Sequence, residues 1–179
     1  MIIDHMVTQP PSPGHENRWI APSIILGCAL FVIALAVSAY FEPQWRLLHV
    51  LQALIYVAVV VLTRRQLSAG YGAGVFSATF WNALVLLRTP VGAAIPGVLG
   101  GLLHGTVADP GILVQLVGVL GHFLIIAGCL AAFLPKQPKA RDWSRFVAGG
   151  VIAIGYLLVA AFTLGPPEAA EHLRQALGL

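Results

Sequence analysis

Charge is scarce in this chain. Ten lysines and arginines and seven aspartates and glutamates make up 9% of its 179 residues, against roughly 25% in a soluble domain. So few charges cannot keep water around a compact body of this size, and a soluble enzyme or a disordered regulator is a poor reading. The formal charge of +3 sits in short connectors, which excludes a nucleic-acid surface. Cysteine is nearly absent. Cys28 and Cys129 cannot build a disulfide framework, no CxxC is present, and each lies among small residues where a thiol behaves as a compact hydrophobe. No GxSxG, HExxH, P-loop or dinucleotide fingerprint occurs either, and the apolar runs lack the paired acids needed for acid-base work. No catalytic residue and no metal site is therefore assigned.

What the chain has is long apolar runs. Residues in the hydrophobic class reach 58%, and the mean hydropathy is +0.86. After a polar, proline-containing tail over 1–19, the first run covers 20–41 and would reach about 33 Å as helix, enough for a hydrocarbon core of about 30 Å. Others cover 46–62, 112–134 and 146–165. Their backbone groups need internal partners, so helices are expected. A third region, 75–103, contains Arg88, Pro90 and Pro96. It is too long for a simple crossing and is expected to be broken or kinked near those residues. The fold class expected is thus an all-α integral membrane protein, a bundle of five transmembrane helices over 20–165, followed over 166–179 by a short outer-surface helix or a tail.

Basic residues orient the bundle. With five crossings one side carries Arg18, Arg64, Arg65, Lys136, Lys139, Arg141 and Arg145, and the other carries Arg46 and Arg174. The positive-inside rule then places the N-terminus in the cytoplasm and the C-terminus outside, in a plasma membrane of bacterial inner-membrane type. A re-entrant hairpin in the third region would move the Lys136–Arg145 cluster across and reverse that balance.

Polar residues inside the runs are the candidate contacts. Counted from Val75, Arg88 falls about 20 Å along the third segment, near the midplane, where it needs a partner such as Asn82, Gln52, another subunit or an anion. His49, Gln52 and Tyr56 share one face of the second helix. Gln115 and His122 share a face of the fourth, while Trp81 and Arg88 on the third and Tyr156 and Thr163 on the fifth repeat the seven-residue interval. Four helices can therefore turn a polar stripe inward. His49, His104 and His122 are candidate cofactor ligands, for haem b or a quinone, with His49 and His104 the better matched in depth. Asp109, in TVADPG, reads as a turn. The histidines of the tail, His5 and His15, have nothing rigid to position them for a metal.

Glycines at helical spacing, among them Gly97 with Gly101, Gly118 with Gly121, and Gly149, Gly150 and Gly155, favour close helix packing. Together these features suggest a non-catalytic membrane subunit. Its partners would be the lipid bilayer and other integral membrane subunits or further copies of itself, and it would help to enclose a cofactor or lipid. A small oligomeric transporter or channel for an anion or small solute, and a haem- or quinone-binding electron carrier, are the alternatives.

Overall fold

The computed structural model describes residues 19–88, 96–97, 100–101, 103–104 and 110–177. Pro90, Asp109 and the tail, including His5 and His15, lie outside the described residues. The expected break near Arg88, Pro90 and Pro96 therefore has no described backbone at Pro90. Among the described residues every regular element is helical. The helices are α1 (Ile20–Phe41), α2 (Arg46–Arg64), α3 (Ser68–Arg88), α4 (Pro110–Phe133), α5 (Ala140–Leu164) and α6 (Pro167–Leu177).

Four stretches are long and apolar enough to cross a membrane: Ile20–Phe41, Pro43–Arg64, Gly111–Lys136 and Ala140–Leu164. Their mean hydropathies run from 1.9 to 2.6. The helix α3 has 21 residues and spans about 31 Å, the same reach. It is more polar because it is the inner helix of the bundle, packed on α2, α4 and α5 at once.

The third segment starts at Ser68, earlier than the Val75 expected. The stretch Ser68 to Gly74 resembles a connector in composition, but its glycines are contact points. A methyl group on Gly72 would overlap the Phe146 carbonyl, and one on Gly149 would overlap the Ala69 carbonyl. Only a missing Cβ lets α3 and α5 approach so closely. The same device joins α1 to α4, where a methyl group on Gly27 would stand 2.6 Å from the Gly121 carbonyl oxygen.

These contacts fix the directions. Ile24 lies against Gly128 and Phe31 near Gly118, so α1 and α4 are antiparallel. Ala69 lies against Gly149 and Phe80 and Leu84 pack with Ala160 and Ala161, so α3 and α5 run together, while Leu62 against Gly70 and Val59 near Gly74 set α2 against α3. Thus α1, α3 and α5 start from one end of the bundle, and α2 and α4 from the other. The connectors at the first end touch: Lys136 Nζ donates to Gln66 Oε1 at 3.2 Å and lies 5.4 Å from the Tyr71 ring. Arg64, Arg65, Lys136, Lys139, Arg141 and Arg145 are all exposed at this end.

Local signals end each helix. Pro43 cannot continue α1, and Arg46 Nε donates to the Ala39 carbonyl at 3.0 Å, covering a terminal acceptor. After α2 the chain turns through Gln66 at φ 55°, with Leu67 N–H on Leu62 O at 3.0 Å and Gln66 N–H on Thr63 O at 2.9 Å, a Schellman closure. Asp142 accepts the Lys139 N–H at 3.1 Å at the start of α5, where a negative charge suits the helix dipole.

Candidate functional site

Hydroxyls inside apolar helices need a local acceptor, and Ser23, Thr63 and Thr163 have one. Thr63 Oγ1 donates to Val59 O at 2.7 Å, and Thr163 Oγ1 to Val159 O at 2.7 Å. Thr163 is thereby satisfied on the outside of α5, and Tyr156 is 37% exposed. The fifth helix does not turn its polar stripe inward. It packs on the far side of α3, so the inner seam is made by α1, α2, α3 and α4.

At mid-depth, three side chains from three helices join. Tyr56 of α2, His122 of α4 and Asn82 of α3 are 0%, 2% and 6% exposed. Tyr56 Oη and His122 Nε2 are 2.8 Å apart, and His122 Nδ1 and Asn82 Oδ1 are 2.9 Å apart. An amide oxygen only accepts, so Nδ1 carries the proton and Nε2 accepts from the tyrosine hydroxyl. Phe31 of α1 covers this line, its ring centroid 4.0 Å from that of His122 and 4.5 Å from that of Tyr56.

Next to this line, toward the end of the bundle away from the basic connectors, is a cavity of about 190 Å³ lined by residues of α1 to α4 and of the turn before α2. Its polar wall is Ser38, His49, Gln52, Trp81, Gln115 and His122. Phe31, Leu35, Trp45, Val85, Val114 and Val119 supply much of the rest. The Trp45 and His49 rings stack at 6.3 Å. Among the described residues no charged side chain lines it. Two of its buried nitrogens, His49 Nδ1 and Trp81 Nε1, find no hydrogen-bond partner among the described residues. On α3, Ser77 Oγ and Asn82 Nδ2 are in the same state. An unpaired buried polar group costs roughly 1–3 kcal/mol. Of the four, His49 Nδ1 and Trp81 Nε1 belong to residues of the cavity wall.

A second cavity of about 330 Å³, lined by Ser38, Phe41, Glu42, Gly111, Val114 and Gln115, shares Ser38, Val114 and Gln115 with the first. It continues the space toward that same end. Toward the basic end the core is closed by Val59, Ile125, Cys129 and Phe133, each at most 2% exposed.

Of the residues singled out in the sequence, His49, Gln52, Gln115 and His122 line one cavity, and Tyr56 and Asn82 bracket His122. His104 is exposed, its Nδ1 2.8 Å from Gly100 O, and it does not line the cavity. The cavity brings His49 together with His122 and not with His104. Both nitrogens of His122 are occupied, so that ring has no free position for haem iron. Arg88 is the last residue of α3. With the helix starting at Ser68, the arginine stands about 30 Å along it, toward the end away from the basic connectors and not at mid-depth. Among the described residues no group of three histidine, cysteine or acidic side chains could hold a metal ion.

Trp81 and Phe31 were not singled out as contacts. The seven-residue interval from Trp81 to Arg88 hinted at the first, and nothing in an apolar run marked the second. Compared with known proteins, the chain matches no family model, no curated protein and no solved structure.

Proposed function

We propose that the chain is a plasma-membrane protein of five crossings, N-terminus cytoplasmic and C-terminus outside, acting as a non-catalytic component that encloses a small uncharged molecule between α1, α2, α3 and α4. The observation that carries this reading is the pair of unpaired nitrogens, His49 Nδ1 and Trp81 Nε1, on an uncharged cavity within helices of membrane length. A guest that hydrogen-bonds to them repays their burial. The exposed cations of the α2–α3 and α4–α5 connectors suit an inner surface. Assembly with other membrane subunits or a second copy is supported by an apolar groove of about 350 Å³ on the outside of α2, α3 and α5, between Leu54, Ala58, Ala73, Ile152 and Tyr156.

Solute exchange is a second reading, favoured by the continuity of the cavity with the outer vestibule at Ser38 and Gln115. Anions are disfavoured on this route, because the vestibule is lined by Glu42 and Arg88 stands near the end of α3 and not at mid-depth.

Gentle detergent extraction followed by mass measurement of the intact assembly tests the proposal. A retained neutral adduct at one per chain is expected, along with any membrane partner in fixed ratio. A chain that carries no small molecule contradicts the enclosed-guest reading.

A further inference from the structure

Resting on the enclosed-guest reading, we infer that the guest is a lipophilic ring bearing carbonyl oxygens, of the isoprenoid-quinone headgroup type, held by Trp81 Nε1 and entering sideways between α1 and α4. An indole N–H only donates, so the atom facing Trp81 must be an acceptor. The lining is uncharged among the described residues, and an ionised carboxylate or phosphate there would be buried without a counter-charge. The acceptor is therefore a neutral oxygen. Phe31, Trp45 and Trp81 offer aromatic walls, which favour a flat guest. The volume, about 190 Å³, lies below the roughly 300–1,000 Å³ of sites for drug-sized ligands. It takes one substituted ring and not a macrocycle. His49 Nδ1, on α2, offers a second unpaired nitrogen on the same wall, so a ring with oxygens on more than one edge uses both.

The entry follows from the helix pair. The α1 and α4 backbones close on each other at Gly27 and Gly121, and toward the outer end the second cavity lies between them, from Ser38 and Phe41 to Gly111 and Gln115. A hydrocarbon tail attached to the ring leaves by this gap into the outer leaflet.

The test is a titration of the full chain in detergent micelles with decylubiquinone, read by tryptophan emission. Trp45 and Trp81 line the cavity. Saturable quenching at one quinone per chain is expected. Trp81→Phe should weaken it about tenfold, the loss of one hydrogen bond. Gln115→Trp fills the junction from an exposed position and should abolish the saturable phase, so the proposal remains testable if the Trp81 variant does not fold. Decylbenzene, which carries the tail without the carbonyls, should show no saturable phase. Absence of saturable quenching in the wild type, equal behaviour of decylbenzene, or unaltered binding by both variants overturns the inference. A different neutral adduct that decylubiquinone cannot displace removes the quinone class and leaves the enclosed-guest reading standing. A cavity holding only water removes both.

Discussion

Removing the Tyr56 hydroxyl would deprive His122 Nε2 of its only described proton donor. Tyr56 is fully buried, and the two atoms are 2.8 Å apart. Tyr56→Phe should therefore lower stability by about 1–3 kcal/mol, read as the shift in unfolding midpoint in mixed detergent micelles. Tyr156→Phe, at the half-exposed outer face of α5, should stay within about 0.5 kcal/mol. Equal effects would mean that the Tyr56–His122–Asn82 line contributes nothing of its own. Part of this line was legible in the sequence. His49, Gln52 and Tyr56 at three- and four-residue spacing, and Gln115 and His122 seven apart, fall on inward faces as helical periodicity requires. Phe31 was not legible, because an aromatic in an apolar run looks the same whether it faces lipid or a histidine. The depth expected for Arg88 differs because it was counted from Val75, whereas the helix starts at Ser68.

Close contact between helices rests on individual glycines. Gly72→Leu should disrupt the α3–α5 pair, since even one carbon at that position overlaps the Phe146 carbonyl. A loss of 3 kcal/mol or more, or failure to accumulate, is expected, beyond the ~1–3 kcal/mol usual for overpacking. Gly155→Leu, on α5 where nothing lies within 4 Å, should be tolerated and serves as its control in the same unfolding measurement. The turn after α2 has the opposite opportunity. Gln66 holds a left-handed conformation, φ 55°, which a glycine adopts without a steric cost of about 1–2 kcal/mol. Gln66→Gly should raise stability by roughly 0.5–1 kcal/mol, a little less if the Lys136 contact is felt. The glycine stretch at the start of α3 explains why that boundary was hidden. In a soluble sequence Ser-Ala-Gly-Tyr-Gly-Ala-Gly is loop chemistry, and only the partner helix reveals that the small residues are there for contact. Apolar length located the other helices to within two residues at each end, except the start of α5, which lies at Ala140 and not at the expected 146.

The molecule as a whole sorts its charge by end. The short connectors 65–67 and 134–139 meet through Lys136 and Gln66, and the helix directions deduced from the glycine contacts put the start of α1 beside them. The count of basic residues along the sequence already pointed to this grouping, because charge and alternation of crossings are both properties of chain order. The cavity was not legible in the same way. It needs residues of four helices, and their distances to one another are set by packing that one-dimensional spacing does not contain. Everything proposed for it depends on α3 crossing the membrane as the other spanning helices do. Single cysteines test this directly. In a background of Cys28→Ala and Cys129→Ala, the exposed sites Gln66→Cys and Gln137→Cys should react with a membrane-impermeant maleimide only after the inner surface is opened, whereas Gln44→Cys and Glu168→Cys should react in intact cells. Labelling of Gln66→Cys and Gln137→Cys from opposite sides would contradict the five-crossing account and the enclosed site built on it.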